Sequence, residues 1–162
     1  IEGCPVGNKF YNIFACDYVY DKDGNPIWPA VAINYTSKTQ FLYRINKGVE
    51  DVGEHKKLNM YMPRNERVVP FQNMVYIGDG LTDVPSMKLT RTRGGYAIGV
   101  YSTPGDAKYL VDEDRVDFYV KCDYTEGSAM DSAMKSILDK IRAENAFEEL
   151  SQKSYEVVNE LK

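Results

Sequence analysis

One stretch constrains the fold more than any other: Asn73-Met74-Val75-Tyr76-Ile77-Gly78-Asp79-Gly80-Leu81-Thr82-Asp83. Met74 to Ile77 are apolar or aromatic with no polar alternation, which suits a strand covered on both faces. Gly78 and Gly80 then free the backbone for a tight turn, and Asp79 and Asp83 fall at the carboxyl end of the strand. In open α/β sheets that end is where ligands bind. The same Gly-Asp-Gly is also ordinary turn chemistry, with Asp selected for local hydrogen bonding. The surrounding chain has to separate the two readings.

From Tyr35 onward the pattern runs helix, strand, helix, strand, helix, strand, helix, which predicts a parallel sheet with helices on both faces. The first helix opens at Thr36-Ser37-Lys38-Thr39-Gln40. Ser37 with Gln40 three residues on reads as a capping box; Phe41, Leu42 and Ile45 form its apolar face, and Gly48 suits the position after its end. After the central strand, Pro85 fits the first turn of a second helix, which Gly94-Gly95 ends. Tyr96 to Tyr101 is the next strand, Asp106 to Glu113 a short helix, and Asp117 to Cys122 the third strand of this half. Met130, Ala133, Met134, Ile137, Leu138 and Ile141 keep helical spacing. A separate last helix is predicted from about Ala146 to Leu161, with Phe147, Leu150, Val157 and Leu161 as core.

Ahead of this alternation, Ile1 to Lys9 reads as a loop and Phe10 to Tyr20 as strand. Asp21-Lys22-Asp23-Gly24-Asn25-Pro26 then turns the chain into a second strand from Ile27 to Ile33. Asp-Gly between two such runs predicts a hairpin, an excursion over 17–33. A calcium loop fails here, because its glycine position falls on Pro26 and its closing Glu position on Ala32. Asp51 to Arg67 reads as a polar surface excursion with a helical turn near Glu54 to Met60. No internal repeat or linker interrupts residues 1–162, so a single domain is expected.

Composition narrows the functional classes. The 162 residues are 43% hydrophobic and 27% charged with net charge −4. The negative balance disfavours nucleic acid and anionic membranes as partners, and no apolar run has the length of a membrane span. Cys4, Cys16 and Cys122 form no CxxC pair, and read as reduced, mostly buried thiols of a cytoplasmic protein. The single histidine, His55, sits in a charged segment and reads as a surface residue.

Two groups carry chemistry. Lys38 falls in the first turn of its helix, where the macrodipole disfavours a cation by about 0.3–1 kcal/mol. It is either an exposed lysine reaching solvent or half of an anion site made with the helix N-terminus. Asp79 and Asp83 supply hard oxygens that suit Mg²⁺, which takes one or two carboxylates, waters and a substrate phosphate. A lysine and a metal facing one phosphate would form an electrostatic clamp for phosphoryl transfer. Asp112-Glu113-Asp114 has no glycine turn or strand end and reads as a solvated loop.

These residues in this order resemble the haloacid dehalogenase-like (HAD) hydrolase superfamily. Asn34-Tyr35-Thr36-Ser37-Lys38-Thr39 is similar to the segment with its third motif, a lysine. Gly78-Asp79-Gly80-Leu81-Thr82-Asp83 is similar to its fourth, Gly-Asp-x-x-x-Asp. Val84-Pro85-Ser86-Met87 and Gly94-Gly95-Tyr96-Ala97-Ile98-Gly99-Val100 extend the likeness over nearly the whole chain. The resemblance implies a three-layer Rossmann-like fold and a Mg²⁺-dependent phosphatase acting on a phosphorylated small molecule through an aspartyl-phosphate. It implies that Lys38 stabilises charge on nucleophile and phosphate, that Asp79 binds the metal, and that Asp83 binds it through water or orients Lys38. Ser37, Gly78, Gly80 and Thr82 would support the phosphate and the turn.

The family's first motif, Asp-x-Asp-x-Thr or Val, has only Asp21-Lys22-Asp23 as a near match before Lys38, and that lies in the hairpin turn. The second motif is also missing, and Ile1-Glu2-Gly3-Cys4-Pro5 looks like what would follow it. The expectation is therefore the C-terminal part of a longer enzyme, inactive alone. Its sheet would be incomplete on the N-terminal side and completed by a missing N-terminal segment or a second copy. The contrasting expectation is a non-catalytic α/β binding or interaction module that keeps the lysine and acidic turn as structure.

Overall fold

The computed structural model describes residues 3–159. Ile1 and Glu2 of the expected first loop, and Leu161 of the expected last helix, lie outside them. The chain divides after Pro70 into two compact units.

The first unit holds an antiparallel pair, β1 (Asp17–Tyr20) and β2 (Pro26–Val31), with Val19 opposite Trp28. The expected hairpin forms for the expected reason. The Asp21 carboxylate accepts from the Asp23 and Asn25 backbone N–H groups at 2.9 and 2.8 Å, and Gly24 turns the chain at φ +83°. Those bonds, from Asn25 foremost, hold the Asp21 carboxyl below its ordinary pKa. The first strand is shorter than expected: residues 10–16 are not strand. Tyr18, Tyr20, Ile27 and Trp28 are all exposed.

Helix α1 (Lys38–Lys47) ends as expected at Gly48, whose φ of +64° only glycine takes without cost. A short α2 (His55–Asn59) follows, with His55 exposed. The start of α1 and its buried face both differ from expectation. Ser37 makes no N-cap bond; its Oγ instead accepts from the Asn34 N–H at 2.9 Å. Asn34 Oδ1 in turn accepts from the Thr36 and Ser37 N–H groups at 3.0 and 3.2 Å. The reciprocal box therefore exists three residues earlier, with Asn34 as cap and Ser37 as its return partner. The buried residues of α1 are Phe41, Arg44, Asn46 and Lys47, while Leu42 and Ile45 are only half-buried.

The second unit is a three-stranded parallel sheet in the order β3-β4-β5: β3 (Val75–Gly78), β4 (Tyr96–Tyr101) and β5 (Phe118–Lys121). Helix α3 (Val84–Thr92) leads from β3 to β4, the short α4 (Tyr109–Asp112) from β4 to β5, and α5 (Ala129–Asn159) closes the chain. The period of two along β4 builds the layers. Tyr96, Ile98 and Val100 pack on Met130, Ala133 and Ile137 of α5. Ala97, from the opposite face, packs with Met87 of α3, Leu110 of α4 and Val116. Helices thus cover both faces.

The expected pair of C-terminal helices is one helix of 31 residues. Residues 142–146 contain neither Gly nor Pro, so nothing interrupts the helical ladder. At 1.5 Å per residue it is roughly 46 Å long, longer than the strands it covers. Its distal stretch therefore has no sheet beneath it, and Phe147 and Leu150 are exposed instead of forming core. The side chain of Val157 lies outside the described residues. Cys4, Cys16 and Cys122 are free but exposed, not buried. Among the described residues no helix is long and apolar enough to cross a membrane.

Gly95 shows how tightly α3 turns into β4. A Cβ there would lie 2.4 Å from the Phe71 carbonyl oxygen and 2.7 Å from Thr90 Cγ2. Gly95→Ala should lower unfolding free energy by about 1–3 kcal/mol, the usual range for overpacking, read by denaturant titration. Gly80→Ala, where a Cβ meets nothing within 4 Å, should change it by less than about 1 kcal/mol.

Candidate functional site

The site is built at the carboxyl end of β3. The strand stops at Gly78, Asp79 and Gly80 follow, and a 3₁₀ turn, Leu81–Asp83, passes into α3. Pro85 pre-sets the first turn of that helix, as its position in the sequence predicts.

Asp83 is 5% exposed, and a buried carboxylate must be compensated. Its Oδ1 accepts from the Tyr76 hydroxyl at 2.7 Å. Its Oδ2 accepts from the backbone N–H groups of Asp79 and Gly80 at 3.2 and 3.3 Å. The Asp83 N–H closes the loop by donating to the Gly80 carbonyl at 3.0 Å. One carboxylate thus ties strand end, turn and helix start together. Gly78 is the residue that permits this: a Cβ there would sit 2.6 Å from Asp83 Cγ. Gly80, at φ −154°, has extended backbone and open space.

Asp79 contrasts with Asp83. It is exposed, and no donor among the described residues hydrogen-bonds to its carboxylate or pairs with it. The Asp83 tie holds the Asp79 backbone while leaving its side chain available. Thr82 is exposed in the 3₁₀ turn. Ser37, committed to Asn34, and Lys38, half-buried as the first residue of α1, belong to the first unit; Gly78 to Asp83 belong to the second.

Three tyrosines border the acidic turn, and none is apparent from the motif. Burial, then the hydrogen bond to Asp83, pushes the Tyr76 phenol far above its ordinary pKa. Tyr109, at the start of α4, is raised by burial and then by the charges of Asp83 and Asp79. Tyr124, just past β5, is raised first by the nearby Cys122 thiol and by burial, with the Asp79 charge adding to these. The sequence signal that could have found Tyr109 and Tyr124 is topological, since both follow the carboxyl ends of parallel strands.

The donor chemistry fits Mg²⁺ in part. Asp79 offers one unpaired hard carboxylate, which is within the one or two that Mg²⁺ takes from protein. Asp83 already accepts three hydrogen bonds, so it serves better as the group that fixes Asp79 than as an inner ligand. Among the described residues no three His, Cys, Asp or Glu side chains converge. The remaining positions would be filled by water and a phosphate, as is usual for this ion.

Two outcomes follow. Asp83→Ala strands the Tyr76 hydroxyl and two N–H groups and should cost about 3 kcal/mol, whereas Asp83→Asn keeps one acceptor oxygen for the two N–H groups and offers its amide N–H₂ to the Tyr76 hydroxyl as a donor, and should cost about half that. Both are read by denaturant unfolding. Tyr76 should ionise well above the ordinary tyrosine range, visible as phenolate absorbance missing from the Tyr76→Phe variant. Because its folded pKa is raised, its contribution is complete below about pH 10, the free tyrosine value, and is lost as pH rises toward the folded value.

No protein-family model matches the chain, and no solved structure matches it. A curated protein of Borreliella burgdorferi, described as an uncharacterized protein, is 31% identical over 103 residues, which cover 60% of this chain and 34% of that protein. The chain therefore spans about a third of the length of the curated relative it matches.

Proposed function

We propose that this chain is the part of a Mg²⁺-dependent haloacid dehalogenase-like hydrolase that carries the lysine and the acidic turn, and that the enzyme is a cytoplasmic phosphatase for a phosphorylated small molecule. The observation that carries this is the division of labour between the two aspartates. Asp83 is buried and spends its oxygens on Tyr76, Asp79 and Gly80, while Asp79 stands exposed with no donor bound to it among the described residues. A turn serving only itself needs Asp83; it has no use for a second, unpaired carboxylate beside a first one, which raises local repulsion.

In this reading Asp79 holds Mg²⁺ at the carboxyl end of β3, and Asp83 fixes the backbone from which Asp79 projects. The ion would polarise the phosphoryl oxygens and offset the charge that develops on them. Lys38 balances charge on the phosphate and on the attacking carboxylate. That nucleophile belongs to a first motif which this chain lacks. Asp112-Glu113-Asp114-Arg115-Val116 has the right spacing of residue types, but it precedes β5 and so lies toward the amino ends of the strands. Its Asp112 is paired with Lys108 and its Asp114 with Arg91. A strand bearing the nucleophile would add at the outer edge of β3, which pairs with no strand among the described residues. A missing N-terminal segment or a second copy would supply it.

The three hydrogen bonds by which Asp83 ties strand end to turn favour a second reading, a non-catalytic α/β binding module in which the acidic turn is architecture. The two readings separate in one assay. The protein at its natural length should hydrolyse a generic phosphomonoester only with Mg²⁺, and Asp79→Asn and Lys38→Ala should each lower kcat about 100-fold or more, the scale of a lost electrostatic contact. Hydrolysis indifferent to Mg²⁺ and to both substitutions would contradict the enzyme. No hydrolysis and no Mg²⁺ binding would leave the module.

A further inference from the structure

Among its described residues, the first unit buries cations and no anion. Arg44 is fully buried, and its Nη1 and Nη2 donate to the Asp51 and Val52 carbonyls at 2.6 Å, while its Nε has no partner. Lys47 is 8% exposed and its Nζ donates to the Leu58 and Met60 carbonyls at 2.5 Å. Arg67, half-buried, donates from Nε to the Met62 carbonyl at 2.9 Å and from Nη1 to Asn46 Oδ1 at 2.6 Å. None of the three makes an ion pair with a carboxylate among the described residues. Carbonyl dipoles orient such groups but leave their full charges uncancelled, and a desolvated cation without an anion is costly.

Two of these cations, Lys47 and Arg67, line one cavity of about 410 Å³, together with Thr39, Gln40, Tyr43 and Asn59. Burial, and then the like charge of Arg67, holds the Lys47 ammonium below its ordinary pKa. After the bonds above, Lys47 keeps one N–H and Arg67 three, counted from the donors each group carries. The cavity wall therefore presents two cations with unspent donors and neutral hydrogen-bonding side chains around them. Its volume falls within the range of roughly 300–1,000 Å³ that small-molecule sites occupy.

We propose that this cavity, between α1 and the 58–67 segment, binds the phosphate group of a small phosphorylated molecule through Lys47 and Arg67. A dianion relieves the repulsion between the two cations and supplies the charge that the carbonyls do not. The planar Arg67 fork suits two phosphate oxygens and Lys47 acts as a point charge on the same group. Thr39, Gln40 and Asn59 are placed for hydroxyl or amide groups of the remainder. The inference stands on the first unit alone and is independent of the role proposed for Asp79.

The test is titration of the intact chain with inorganic phosphate at low ionic strength, followed by backbone and side-chain NMR shifts and by calorimetry. Saturable millimolar or tighter binding should move the signals of Lys47, Arg67 and Thr39, and persist in Asp79→Asn. Arg67→Gln should weaken it about tenfold or more, as expected for loss of charge-assisted bonds. Arg67→Lys, which keeps the charge and loses the fork, should fall between. Shifts confined to residues 78–83, an equal response to acetate, or no saturable response would each overturn the assignment.

Discussion

The second unit depends on one buried carboxylate. Asp83 accepts from a strand phenol and from two turn amides, and its own N–H returns to the turn. A charge-assisted bond in a low-dielectric site is about twice as strong as a neutral one, and it is correspondingly costly to leave unmade. The tie therefore selects glycine at position 78, since any Cβ would collide with Asp83 Cγ. It also holds the Tyr76 proton in place and sets the direction in which α3 leaves the strand. Burial of Met87, from α3, against Ala97 of β4 then locks that direction. Asp79 inherits a fixed backbone and a free side chain.

How much of this is legible in the sequence depends on range. β3, the turn, α3, β4 and β5 are legible because each is written by adjacent residues: an unbroken apolar run, a Gly-Asp-Gly, a Pro at the first helical turn. The place of Asp79 just past the carboxyl end of β3 is legible in the same way. Which aspartate is buried is not, because that depends on Tyr76 reaching across the turn. Tyr109 and Tyr124 are less visible still, since they arrive from two other strand ends. The displaced box at Asn34 and Ser37 shows a different difficulty. Asn, Ser and Thr crowd residues 34–39, several of them can cap, and only the backbone path decides between them.

The buried face of α1 was the least legible element. Apolar spacing points to Phe41, Leu42 and Ile45, yet Arg44, Asn46 and Lys47 are the deeper side chains with Phe41. The explanation lies in residues 51–62, whose turns leave carbonyls pointing inward and need donors. A polar excursion judged by its own composition gives no hint that it will draw two cationic side chains, Arg44 and Lys47, from a helix. The long α5 makes the complementary point. Uninterrupted helix formers propagate a helix beyond its support, so Phe147 and Leu150 keep an apolar pattern on a face without sheet beneath it.

We propose that Asp79, held by Asp83, is where a divalent cation binds. Paramagnetic Mn²⁺ in place of Mg²⁺ tests it most directly, because line broadening falls steeply with distance from the bound ion. Substoichiometric Mn²⁺ should broaden the amide signals of Gly78 to Thr82 first, excess Mg²⁺ should reverse it, and Asp79→Asn should abolish it. Broadening centred on Asp21 to Asp23 or on Asp112 to Asp114, with residues 78–82 sharp, would contradict it.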